Sequence, residues 1–239
     1  MGNQTENDKI NNNNQKNYDS PEEINYKIID ERYIDKEIII VYPQITNLGD
    51  DNKQKSINDV LKTEALTVLG FYENSNDVLL EINYNITWQS KNIFSVQYSG
   101  IANAKDATYP LRLFYTSNIN ITSGSKLCLK DFVKIDENFV NSFRNYKVKN
   151  PEINQASARA FDYIINTYSV EDLIRYFESA DSSYENSAFT FSYFTKHFFG
   201  ISIEVPHAVG DHMEIELRYE DIKDNIKTET EIWNDFLNL

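Results

Sequence analysis

Residues 188–222, AFTFSYFTKHFFGISIEVPHAVGDHMEIELRYEDI, contain three short runs in which apolar and polar side chains alternate. Phe189, Phe191 and Tyr193 share one face of the first run. Ile201, Ile203 and Val205 share a face of the second, and Met213, Ile215 and Leu217 a face of the third. A period of two predicts strands with one buried and one wet face. The segment joining the second and third runs, Pro206-His207-Ala208-Val209-Gly210-Asp211-His212, reads as a turn and holds two of the chain's three histidines. Whether that turn handles protons or only shapes a surface separates an enzyme from a binding module.

The rest of the chain follows the same logic. Residues 2–20, GNQTENDKINNNNQKNYDS, offer almost nothing to bury and predict a disordered polar tail over 1–21. Ile24–Ile34 and Glu37–Val41 read as paired strands closed by Tyr42-Pro43. Lys53–Leu69 carries Ile57, Val60, Leu61, Ala65 and Val68 at helical steps, with Asp51 or Asn52 as cap and Gly70 as stop. Alternation from Leu80 to Trp88 and from Phe94 to Tyr98, a turn at Gln89–Asn92, and one strand or two over Tyr109–Ile121 predict an antiparallel meander. Asp136–Ala180 is helical in its spacing, with Pro151 suited to a first turn, and Glu229–Leu239 reads as a short terminal helix carrying Trp233 and Phe236. Strands, then helices, then strands predict an α+β fold, antiparallel sheet with helices packed on one face, rather than βαβ winding. We place an N-terminal α+β module at 22–135 and a C-terminal one at 136–239, packed as one unit.

Charge narrows the partners. Lys and Arg number 23 against 37 Asp and Glu, a formal net charge of −14. Nucleic acid is excluded, since phosphate contacts need clustered cations, whereas a basic protein or a cation is attracted. No apolar run approaches the ~18 residues of a membrane span. No apolar signal sequence follows Met1, so the chain is expected either to stay in the cytoplasm or to begin after a removed targeting segment, with membrane attachment only through a lost N-terminal anchor. The single cysteine, Cys128, excludes a disulfide framework and a Cys-rich zinc site, and its run Lys126–Leu129 predicts a small buried hydrophobe.

Three groups of residues are candidates for chemistry. His207, Asp211 and His212, with Glu204 or Glu214 as a further carboxylate, are where imidazoles and acids converge in sequence. Their spacing matches no metal or catalytic motif, so we assign no catalytic residue, metal or cofactor and read the region as a docking surface. The loop Asn103–Tyr109, with Asn103, Asp106 and Tyr109, is the second candidate. Trp88 and Tyr109 could stack on a sugar or fill a partner's cleft, although aromatic strand residues usually belong to cores.

Tyr42-Pro43-Gln44-Ile45, Ile57-Asn58, the strand Ile93–Gly100 and the stretch Gly124–Phe132 resemble the module that precedes the catalytic domain in PdaC-type peptidoglycan deacetylases. That module also occurs in the extracytoplasmic part of RsiV-type anti-sigma factors. Phe194–Tyr219, with its Pro206…Gly210 turn, is similar to the second half of the RsiV region. The resemblance covers roughly residues 24–224 and implies a non-catalytic envelope-exposed domain of a Gram-positive bacterium, a lipoprotein or secreted sensor, whose ligand is a basic protein such as lysozyme or peptidoglycan itself. Departures from the family are the missing sigma-binding segment, membrane span and deacetylase domain. A cell-wall hydrolase built on His207, Asp211 and His212, or a structural surface lipoprotein, are the rival expectations.

Overall fold

The computed structural model describes residues 24–72, 76–105, 107–150, 152–182, 189–229 and 231–236. The polar tail, Asp106 and Pro151 lie outside the described residues. A first sheet runs in the order β1 (Lys27–Asp35), β2 (Ile38–Thr46), β3 (Val78–Gln89), β4 (Ile93–Ala104), β5 (Leu111–Asn120) and β6 (Ser125–Leu127). All neighbours pair antiparallel except β2 and β3, which run parallel over Ile38–Ile40 against Leu80–Ile82. The helix α1 (Asp51–Leu66) makes the crossover between them. One βαβ unit therefore sits inside an antiparallel sheet, a departure from the pure meander that alternation suggested. The reason is length: residues 47–77 contain a helix, which is what a parallel return needs. Among the described residues no helix is long and apolar enough to cross a membrane.

Local chemistry sets the boundaries. Asp50, not Asp51 or Asn52, caps α1, its Oδ1 accepting from Lys53 N at 3.0 Å. Ile57, Leu61, Ala65 and Val68 are buried against the first sheet as their spacing predicts, while Val60 is only half-buried. β2 does not close at Tyr42-Pro43 but runs on to Thr46, with Pro43 opposite Asp30. That is tolerated because the β2–β3 ladder ends at Ile40, so Pro43 has no neighbour to serve on that side.

Past β6 come α2 (Leu129–Phe132), α3 (Glu137–Arg144), α4 (Tyr146–Lys149), α5 (Gln155–Thr167) and α6 (Val170–Glu178). Phe139, Val140, Phe143, Phe161, Ile164, Leu173 and Phe177 form the buried side of this helical layer. A second sheet follows, antiparallel, in the order β7 (Phe191–Phe194), β8 (Phe198–Glu204), β9 (His212–Arg218). The terminal segment is a 3-10 turn over Glu231–Asp235 rather than an α-helix. Trp233 is buried there and donates from Nε1 to the Phe132 carbonyl at 3.0 Å.

The face assignment of β7 is corrected by the structure. Phe194, not Tyr193, shares the core side with Phe199, Ile201, Ile203, Met213, Ile215 and Leu217, and Ser192 lies on that side too. Ser192 is fully buried because β7 lies against the outer face of β4 and β5, where polar side chains meet it. Asn118 Nδ2 donates to the Ser192 carbonyl at 2.9 Å, and Thr116 Oγ1 donates to the same oxygen at 2.6 Å. Ser95 Oγ donates to Asn118 Oδ1 at 2.7 Å and accepts from Phe194 N at 3.0 Å. A buried polar seam thus joins the two sheets, satisfied group by group.

The seam is anchored by Asp181, which sits just past α6 with φ at 62°. Its carboxylate accepts from Ser192 N (2.7 Å), Ser192 Oγ (2.6 Å) and Leu129 N (2.8 Å), the last belonging to the first residue of α2. Nothing in the alternation signals marks this residue.

Cys128 stands not in a strand but at the N-cap of α2 and is half-buried. Burial, then the neighbouring Asp181, pushes its thiol up to about 11. The thiol is therefore expected to react with an alkylating reagent at neutral pH far more slowly in the folded protein than after denaturation, since only the thiolate attacks. Equal rates folded and unfolded would contradict the burial.

Candidate functional site

The corner between β8 and β9 is built by backbone conformations that few residues accept. Pro206 leads into a 3-10 turn over His207–Val209, and two successive left-handed residues, Gly210 at φ 126° and Asp211 at φ 72°, turn the chain back. Val205 N donates to the Asp211 carbonyl at 2.9 Å and closes the loop, leaving Glu204 and His212 opposite one another as the last strand pair.

Asp211 holds this corner to the first sheet. It is only 4% exposed. One carboxylate oxygen faces His207 Nδ1 at 2.8 Å, and the other accepts from the backbone N of Arg112, at the start of β5, at 3.1 Å. Both hydrogen bonds compensate the burial of a charge that would otherwise be costly. On the other side of His207 lies Tyr109, stacked on the imidazole at 5.0 Å and 15° between planes, and 62% exposed. The two loops singled out in the sequence therefore meet through Tyr109 on His207, and β5 joins the corner through Arg112 on Asp211. Asn103 does not sit in that loop: it belongs to β4, opposite Leu79, on the exposed face.

His212 points elsewhere. Its ring stacks on Phe114 at 5.0 Å, and Nε2 lies 3.3 Å from Glu214. Among the described residues no group of three His, Cys, Asp or Glu side chains is arranged to hold a metal ion. Glu204 is held above the usual carboxylate range by partial burial and by Asp211. Trp88, a stacking candidate in the sequence, packs instead on Phe236 at 5.0 Å, inside the aromatic cluster.

Beside the corner opens a cavity of about 380 Å³, which sequence reasoning missed because its walls come from five separate stretches. Val68, Phe71 and Tyr72 follow α1, Leu113 and Tyr115 come from β5, and Phe189 and Phe191 lead β7. The ion pair Lys126–Glu64, both side chains largely buried, also lines it, as do Glu204, Asp211 and His212. Phe71, Leu111 and Phe189 are 54%, 43% and 40% exposed at its lip. An apolar hollow with a few polar groups in its lining is the usual form of a binding pocket.

No protein-family model matches the chain, and no curated protein matches it. Two solved structures share its fold. A DUF3298-family protein from Bacteroides fragilis superposes with a TM-score of 0.54 at 13% identity, covering 90% of this chain and 97% of that one. A DUF3298-family protein from Pseudomonas aeruginosa gives 0.50 at 8% identity, covering 88% and 95%. In both cases the likeness of fold extends over most of the chain.

Proposed function

We propose that this chain is a non-catalytic binding or sensor domain of the cell envelope, that the β8–β9 corner and the cavity beside it form its docking surface, and that its ligand is a basic protein such as a lysozyme. The observation that carries this reading is the staple made by Asp211. Its carboxylate is committed to a ring nitrogen and a backbone amide, and that ring is stacked on an exposed tyrosine, so the corner presents a fixed shape. Exposed Phe71, Leu111, Tyr109 and Phe189 supply apolar contact around it, and a net charge of −14 steers a cationic partner to the surface. The fold shared with DUF3298 proteins supports the resemblance to RsiV- and PdaC-type modules, from which the envelope location and the lysozyme or peptidoglycan ligand are taken.

Binding to purified lysozyme and to purified peptidoglycan, each at low and high salt, tests the proposal. Lysozyme binding is expected to weaken roughly tenfold or more as salt is raised across the physiological range, because long-range steering is screened. Binding to peptidoglycan alone would move the ligand to the wall polymer, and binding to neither removes the proposal.

One observation favours a second reading. A carboxylate on Nδ1 fixes an imidazole as a general base needs it, with Nε2 left over, and the His207 side chain is about half exposed (49%). Hydrolysis of wall material that disappears in His207→Ala, with the fold intact, would establish a hydrolase in place of a binding domain.

A further inference from the structure

Against the same corner a second hollow, of about 290 Å³, lies between the 3-10 turn and the start of α5. It is lined by Arg112, Arg159, His207 and Asp211, with Ala156, Ala208 and Val209 as small apolar walls. Arg112 and Arg159 are both exposed, and among the described residues neither guanidinium makes a hydrogen bond or an ion pair. Acids outnumber bases 37 to 23 in the chain, yet among the described residues no carboxylate pairs with either guanidinium. The other described arginines of the second half are engaged: Arg175 holds Asp172, Arg218 holds Asp221, and Arg144 reaches the carbonyls of Ile165 and Tyr168.

The one carboxylate in the hollow is already used. Asp211 is occupied by His207 Nδ1 and by the backbone of Arg112, so it does not neutralise either guanidinium by contact. With two arginines against one aspartate the lining is net positive, in a molecule that is strongly negative elsewhere. Ala156 is the second residue of α5, so the amide-rich first turn of a thirteen-residue helix adds to the same sign.

We propose that this hollow binds the carboxylate of a small organic acid, with Arg112 and Arg159 as its charged clamp. A guanidinium presents paired N–H groups that match a carboxylate's two oxygens. The alanines and Val209 leave room and apolar contact for a short alkyl body. Polyanions are disfavoured, because the rest of the molecule repels them. The inference goes beyond the docking of a basic protein and does not depend on it.

Titration of the full chain with N-acetylalanine, followed by NMR at the His207 ring and the arginine Nε–H groups, tests the assignment. A saturable shift is expected with N-acetylalanine and none with its amide. Arg159→Gln and Arg112→Gln should each weaken binding about tenfold or more, as loss of one charged hydrogen-bonding group does. Both side chains are exposed, so unchanged melting temperatures will show that the variants are folded. Equal shifts with the amide, a match by inorganic phosphate at the same concentration, or affinity unaffected by both substitutions would overturn the proposal. Failure of lysozyme binding leaves this measurement untouched, so the two readings fall separately.

Discussion

Asp181→Ala is expected to cost about 3–5 kcal/mol and to lower the melting temperature by roughly 10 °C in this chain. The loss is argued from what is left behind. Ser192 N and Leu129 N, both buried, would each lose the acceptor at 2.7–2.8 Å that now satisfies them, at about 1–3 kcal/mol apiece. Ser192 Oγ would lose its partner as well. The damage would fall on the seam between the sheets and on the entry to α2 together, so both sheets should loosen in one transition. A melting temperature within about 2 °C of the parent would sink this account of the seam.

The same residue sets a pH dependence with a defined sign. Burial, only partly offset by its hydrogen bonds to Ser192, pushes the Asp181 carboxyl up to about 6 from an ordinary 3.8. Folding therefore favours the protonated form. Asp181 leaves stability undiminished below about pH 4 and lowers it progressively as pH rises through about 6, by about 3 kcal/mol in all. Asp181→Asn is expected to remove that slope. Chemical denaturation at pH 4.5, 6 and 7.5 checks it, and parallel curves for parent and variant would contradict the assignment.

Gly100→Ala is the second change with a large expected effect. Gly100 lies in β4 opposite Ile82, and a Cβ placed on it would sit 1.9 Å from the Glu81 carbonyl oxygen and 2.8 Å from Ile82 Cδ1. The nearer obstacle is backbone in an adjoining strand, so relief requires moving β3 away from β4 in the centre of the larger sheet. We expect a loss of at least about 3 kcal/mol, at the upper end of overpacking, read as a fall in denaturation midpoint or as insoluble protein. Gly200 gives the contrast. A Cβ there would meet the Tyr193 ring at 2.1 Å, and a side chain can shift, so Gly200→Ala is expected to cost about 1–3 kcal/mol. A tolerated Gly100→Ala beside a damaging Gly200→Ala would reverse this argument.

Much of the architecture was legible before any coordinates, and the reason is periodicity. The apolar stripe from Ile57 to Val68 buries as spaced, and the alternation of Leu80–Ile82 and Phe94–Tyr98 gives two long strands on one core. What alternation could not express is a strand with neighbours on both sides. Ser192 and Thr116 look like wet-face residues in sequence and are buried because two sheets meet there. The parallel β2–β3 contact was missed because it spans only three residue pairs, too few to alter composition. At the candidate site the β8–β9 corner was legible as a turn, since Pro206, Gly210 and a pair of histidines stand out locally. The sequence could not show that Tyr109 lands on His207, that Asp211 reaches Arg112, or that the lip of a cavity is assembled from residues as far apart as Phe71 and Phe189. Those are long-range placements, and a linear pattern carries no term for them.

The segment 231–236 completes the aromatic cluster. Trp233 meets Phe194 and Phe199, Phe236 stacks on Phe194, and Asp235 accepts from Ser90 and Asn92 at the turn between β3 and β4. The β3–β4 hairpin therefore takes part of its support from residues 143–145 positions further along the chain. Contacts of that separation are slow to close, and until they form Phe194 and Phe199 stand without the indole that covers them, the stage at which a chaperone would find most to hold.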